Sequence, residues 1–347
     1  MLFIPATASL SQSAKYSNEF LNVGVGARSL GMGKAFIATA DDITAAYWNP
    51  AGMVNIEGKY QAGLMHAQYF AGIAKFDYMG AATSIDGKST LGLSLLRYGV
   101  DDIPNTIDLI DNDGNIDYDR ISSFSVADYA VLLTYSRRSP IEGLDVGGNL
   151  KIIRRVVGEF ASAWGFGADI AARYNVEKWT FGAVVRDVTG TFNYWEFNED
   201  NLVIEVGDSV FNQPPENSLE LTVPRLYIGV SRSFQVTEKV SLLAEINGSF
   251  TFEGRTAALL SNRFIGTEPV AGLEVNYGNI VFFRTGVSNL QQVRGFEGKK
   301  RLIVDPSVGL GLHLGSFYLD YAMTNISPQT ITLYSNIFSV RYVFGRD

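Results

Sequence analysis

From Tyr60 to the C-terminus the chain repeats a two-residue rhythm, an apolar side chain followed by a small or polar one. Leu91, Leu93 and Leu95 alternate with Gly92 and Ser94. Trp164, Phe166, Ala168 and Ile170 alternate with Gly165, Gly167 and Asp169. Val308, Leu310, Leu312 and Leu314 alternate with Gly309, Gly311 and His313. Successive strand residues point to opposite faces, so this rhythm describes sheets with one bulky apolar face. The runs make about fourteen strands, at 60–69, 75–84, 89–98, 124–137, 145–157, 162–175, 178–187, 225–234, 240–250, 270–277, 280–290, 305–314, 317–324 and 336–344. Most are near ten residues, the length a tilted strand needs to cross a bilayer. An even number of such strands is the pattern of a transmembrane barrel. The fold expected is all-β, a transmembrane antiparallel β-barrel of about 14 strands behind an N-terminal helical, Gly-rich plug segment.

The gaps between runs support this. Gaps after even-numbered strands are short and turn-like, such as Asp86-Gly87-Lys88 and Tyr277-Gly278-Asn279. Gaps after odd-numbered strands include every long one, at 99–123, 188–224, 251–269, 291–304 and 325–335. Short turns on one side and long loops on the other is the asymmetry of outer-membrane barrels, with both termini periplasmic. The non-bulky face mixes Gly and Ser with Lys151, Arg155, Asp169, Arg173, Arg186, Glu245, Glu274, Arg284, Asp320 and Arg341. Such a face suits a lumen, where ions of both signs brace the wall in pairs. Lys151 and Arg155 are expected beside Asp169, and Glu274 beside Arg284. Arg154, out of phase, is placed at a strand end.

Composition removes several classes. Cysteine is absent, so thiol nucleophiles, cysteine metal sites and disulfides are excluded. A net charge of −8 with dispersed Lys and Arg disfavours nucleic acid as a partner. Low charge (18 %), 35 Gly, 17 Tyr and 22 Phe fit a lipid-facing wall with aromatic girdles. The opening stretch, Met1 to Ala8, resembles the back half of a secretory signal with an Ala6-x-Ala8 site. Residues 1–14 are therefore read as a signal remnant or flexible N-terminus, 15–58 as the plug and 59–347 as the barrel. The last run, ending in Phe344, resembles the signal read by barrel-assembly machinery.

Residues 15–55 do not alternate. Gly31 and Gly33 precede Asp41-Asp42, which can cap a short helix through Trp48, and Asn49-Pro50-Ala51-Gly52 ends it. The glycines lack nucleotide-loop spacing, since Gly24-x-Gly26 is followed by Ser29 where a third Gly belongs. They suit close packing of a plug inside a barrel. The stretch GARSLGMGKAFIATADDITAAYWNPAGM, with KYSNEFLNVGVG before it, closely resembles the start of the PorV/PorQ family of Bacteroidota outer-membrane proteins. That family is related to the FadL-like transporters of hydrophobic compounds, whose N-terminal Asn-Pro-Ala element matches Asn49-Pro50-Ala51. The resemblance implies a fourteen-stranded outer-membrane barrel with the N-terminal segment in its lumen. It also implies a role in type IX protein secretion, with translocon and cargo C-terminal domains as partners.

Other chemistry is sparse. His66 and His313 each lie alone in a strand, and a barrel hydrolase would need a Ser beside one of them on the outer face. Asp111, Asp113, Asn115 and Asp117 alternate as calcium ligands do, but Ile116 stands where the calcium loop requires Gly, so a solvated acidic loop is the default. The 188–224 loop carries Phe192, Tyr194, Trp195, Phe197 and Phe211, too apolar for a plain linker, and reads as a lid or binding surface. No cofactor is expected. The leading expectation is a non-enzymatic barrel whose extracellular loops bind translocon or cargo proteins. The alternative is FadL-like transport, with a hydrophobic ligand entering between the loops and the N-terminal block as gate.

Overall fold

The computed structural model describes residues 18–345 except 108, 111–114, 203–204, 207–208, 211–214, 253–259, 262–264, 295–299 and 326–333. Asp111, Asp113, Phe211 and the signal-like start lie outside the described residues. Fourteen antiparallel strands close into a barrel. They are β1 (Tyr60–Tyr69), β2 (Ala74–Ser84), β3 (Ser89–Asn105), β4 (Ser122–Arg138), β5 (Leu144–Val157) and β6 (Ala161–Val176). Next come β7, in two halves (Trp179–Arg186 and Thr191–Phe197), and β8, likewise split (Ser218–Thr222 and Arg225–Gln235). The circuit finishes with β9 (Val240–Thr251), β10 (Gly266–Tyr277), β11 (Val281–Arg294), β12 (Lys300–Leu314), β13 (Phe317–Thr324) and β14 (Ser335–Phe344). Each pairs with its sequence neighbour, and β14 closes on β1 with Phe344 opposite Tyr60. Closure leaves no sheet edge, which is what allows a sheet to sit in lipid.

The short connections gather at one end of the barrel, here called the turn end, where β1 begins and β14 finishes. The long ones gather at the other, the loop end. Along each strand the bulky residues point outward and stay exposed, as Leu64, Leu93, Leu150, Ile246 and Leu310 do. Their alternate neighbours Met65, Ser94, Lys151, Glu245 and Gly309 are buried inside.

Several strands run further toward the loop end than the alternation indicates. β3 reaches Asn105, β4 starts at Ser122, β10 starts at Gly266 and β11 reaches Arg294. Beyond the lipid band neither face needs to be apolar, so the backbone continues after the pattern has stopped. For the same reason the 188–224 segment is only partly a loop. Thr191–Phe197 and Ser218–Thr222 pair with each other and prolong the wall.

Residues 18–56 fill the lumen. A 3-10 turn (Glu19–Asn22) leads to α1 (Ala27–Gly31), α2 (Ala45–Trp48) and a 3-10 helix (Pro50–Asn55). Asp42 bonds the amide and hydroxyl of Thr44 at 2.8 and 2.6 Å, turning the chain into α2. The Asn49 side chain accepts from Ala51 N at 3.1 Å and caps the next helix, with Pro50 in its first turn. Met32, Phe36, Ile37, Ile43 and Met53 are fully buried against the inner wall. The wall accepts this through glycine. A Cβ on Gly286 would lie 2.1 Å from the Met32 carbonyl carbon, and one on Gly272 would lie 2.3 Å from Met32 O. Gly52 is under the same constraint inside the plug, 1.8 Å from Ala40 O by the same measure.

Candidate functional site: the plugged lumen and its vestibule

The inward charges form two buried groups. In the first, Lys151 Nζ lies 2.8 Å from Asp169 Oδ1 and also binds Asp187. Asp187 further accepts from Thr191 Oγ1, while its backbone N–H donates to Asp169 at 2.9 Å. This cluster sits at the break between the halves of β7, where Val188 N still donates to Ala168 O at 2.9 Å. The interruption in the wall is thus closed by hydrogen bonds and ion pairs. In the second group Arg284 bridges Glu274 and Asp320, each at 2.6 Å. Glu274 also holds Arg28 of the plug at 3.0 Å, and Arg28 reaches Asp41 at 2.8 Å. Removing one partner of a buried pair costs about 3–5 kcal/mol, because the charge left behind keeps its desolvation penalty.

The other expected lumen ions find different partners. Arg155 pairs with Asp128 at 2.8 Å rather than with Asp169, since the β4–β5 register sets it directly opposite Asp128. Arg173 approaches Asp145 at 3.7 Å and donates to Ala38 O of the plug. Arg341 and Arg28 both stand 3.8 Å from Asp42 Oδ2. Burial alone would raise the Asp42 pKa. Arg341 and Arg28, with the two Thr44 bonds, outweigh that and hold it below the usual carboxylate value. Glu245 takes no cation among the contacts described. It accepts from the backbone N–H groups of Ala38 and Thr39 at 2.8 and 3.0 Å and from the Thr39 hydroxyl.

Uncharged groups tie the plug elsewhere around the ring. Gln61 accepts from Ile43 N at 2.6 Å, Asn149 donates to Ala46 O at 2.7 Å, and Ser307 donates to Gly31 O at 3.1 Å. Sequence reasoning missed these, together with Arg28 and Asp187. Gln61, Asn149 and Ser307 lie in the inward phase of their strands, so phase rather than charge was the usable signal. The Asn49 amide also donates to Ile37 O at 2.8 Å, holding the Asn-Pro-Ala turn against the preceding plug segment.

Above the plug, at the loop end, is a cavity of about 460 Å³. Its floor includes Lys34, Tyr47 and Trp48 of the plug, and its wall includes Arg186, Tyr227, Asn247, Glu268 and Asp305. Arg186 lies between the Tyr47 and Tyr227 rings, 4.5 and 4.6 Å from their centres, and donates to Tyr47 O at 2.8 Å. This vestibule is aromatic and charged together. Of the 188–224 residues, Trp195 points inward under Arg155 at 4.9 Å, while Phe192 and Tyr194 point outward from the wall. Phe197 stacks on Trp195 at 6.1 Å. Asp117 bonds Asp119 N and pairs with Arg120 at 3.4 Å, and Asn115 lies in the same exposed loop.

His313 is at the turn end, stacked 4.0 Å from the Tyr318 ring. His66 faces outward, with Nδ1 2.7 Å from Asp77 and Nε2 3.4 Å from the Gln68 amide. No serine is among these described partners of His66. Arg154 faces outward near the loop end of β5, 4.9 Å over the Trp164 ring.

The family model described as type IX secretion system protein PorV matches residues 11–203, more than half of the chain. The chain belongs to the PorV family. Its barrel is an outer-membrane barrel of that family, in contact with membrane lipid. Among curated proteins no sequence matches this PorV-family chain. Solved structures with the same fold include the CymD monoaromatic hydrocarbon channel, 13 % identical with a TM-score of 0.58, covering 93 % of this chain and 98 % of that one. The toluene transporter TodX of Pseudomonas putida is 13 % identical with a TM-score of 0.56, covering 92 % and 96 %. The toluene transporter TbuX of Ralstonia pickettii is 12 % identical with a TM-score of 0.54, covering 92 % and 98 %. At these identities the likeness concerns the fold.

Proposed function

We propose that this PorV-family barrel is a non-enzymatic, membrane-held partner of type IX secretion that binds cargo or translocon proteins through its loop end. In this reading the turn end and both termini face the periplasm, and the segments 99–123, 188–224 and 251–269 face outward. The observation that carries it is the plug. Wall side chains from β1 round to β14 hold its backbone, and the break in β7 is bonded shut, so the barrel serves as a rigid support rather than an open path. A mixed aromatic and charged vestibule suits a protein surface better than a hydrocarbon. Affinity purification from native membranes tests the proposal. Co-purification of translocon components or cargo C-terminal domains is expected, and recovery of bound lipid with no protein partner would overturn it.

The second reading is transport of a hydrophobic small molecule, which the fold likeness to hydrocarbon channels supports. Tyr69, Tyr98 and Trp48 give the vestibule aromatic surface for such a ligand. Uptake of a labelled monoaromatic by liposomes carrying the protein would favour it.

A further inference from the structure

His66 is used by neither the plug nor the vestibule, yet it is placed where a polar group is least expected. It stands six positions above the turn end of β1 and points out of the barrel. Counted the same way, the outward residues at that level are Leu95 on β3, Leu150 on β5, Ile170 on β6, Ile246 on β9 and Phe338 on β14. With strands tilted by some 40°, this level lies about 15 Å into an apolar band roughly 25 Å tall.

His66 is not alone there. Its partner Asp77 reaches Arg97 at 3.6 Å through the second carboxylate oxygen. Arg97 in turn reaches Asp101 at 3.4 Å, and Asp101 accepts from Lys75 at 3.1 Å. These five side chains on β1, β2 and β3 form one ionic cluster on the outer face, each between 29 and 46 % exposed. Hydrocarbon gives nothing in return for the lost hydration of such groups, so His66, Asp77, Arg97 and Lys75, which by the same count lie within the band while Asp101 stands above it, signal a partner.

The charges say which partner. A lipid headgroup phosphate calls for surplus positive charge. Here the two cations Lys75 and Arg97 are balanced by the two carboxylates Asp77 and Asp101. A balanced patch of mixed sign is complementary to itself. Across a two-fold axis, Arg97 and Lys75 of one copy can face Asp77 and Asp101 of the other. The wall next to the cluster, toward the turn end, is apolar and concave, which offers a second wall a surface for van der Waals packing. Leu91, Leu93, Leu133, Leu150 and Ile170 frame a shallow hollow of about 1240 Å³ around Ala81. We propose that the outer face of β1–β5 is an interface between two copies of this chain within the membrane, with the His66–Asp77–Arg97–Asp101–Lys75 cluster at its centre.

The absence of cysteine from the chain makes the test clean. Met79→Cys places one thiol beside the cluster, and Ile246→Cys places one on the opposite wall, both on exposed outward positions. Treatment of native outer membranes with a short bis-maleimide should convert Met79→Cys, and not Ile246→Cys, to a band of twice the chain mass. Adding Arg97→Glu to the Met79→Cys chain should cut that band at least tenfold while heat-modifiable migration shows the barrel still folded. The proposal is overturned if Met79→Cys stays monomeric, joins only a different protein, or dimerises no more than Ile246→Cys. Native mass spectrometry showing a monomer with lipid A retained at this face, lost on Arg97→Glu, would equally contradict it.

Discussion

At Asp42 three kinds of interaction meet on one carboxylate: two guanidinium groups, a hydroxyl and a backbone amide. Its pKa is depressed in the folded protein, so its contribution to stability is present above the unfolded value near 4 and is lost as pH falls through the folded value. The temperature at which the fast-migrating, unboiled band disappears should therefore drop between about pH 5 and pH 3. Asp42→Asn should start lower at neutral pH and drop less over that window. An equal drop in both proteins would show that Asp42 does not couple plug to wall. Residues also show how far the sequence could be read. The ions facing the lumen were visible because each falls on the small or polar beat of the alternation, between outward apolar residues. Their pairing was not, because it depends on register. Arg155 meets Asp128 only because the short turn after β4 fixes those two residues opposite each other.

Among the elements, the strands were legible where lipid demands one bulky face, and illegible where that demand ends. The second half of β7 has the same alternation as the first, but Asp187–Gly190 interrupts it and its flanks carry polar residues. Phe192, Tyr194 and Trp195 therefore read as loop although they are wall. The plug was legible from its glycines and its Asn-Pro-Ala turn, while the matching glycines of β10 and β11 look like ordinary small residues in a lumen. These give an element-level expectation. Gly286→Val forces a side chain into the Met32 backbone, and overpacking of this kind costs at least about 1–3 kcal/mol. It should loosen the plug and expose residues 18–56 to limited proteolysis in detergent. Leu310→Val, on the outer face, should leave the digestion pattern unchanged. A plug equally resistant in both variants would mean that the close approach is not what seats it.

For the whole molecule, the barrel supplies the membrane anchorage and the plug decides whether the lumen is a support or a passage. Fold, closure and family could be anticipated from alternation, loop parity and the N-terminal motif. The vestibule could not, because it joins Tyr47 of the plug, Arg186 of β7 and Tyr227 of β8, residues brought together only by closure of the ring. The most direct test of the fixed plug is ion conductance in planar bilayers. The wild-type protein should show no steady open level, whereas Glu245→Ala with Glu274→Ala, which removes the wall's carboxylate bonds to the Ala38 and Thr39 N–H groups and to Arg28, should show frequent openings. A steady open conductance from the wild-type protein would contradict a plugged lumen.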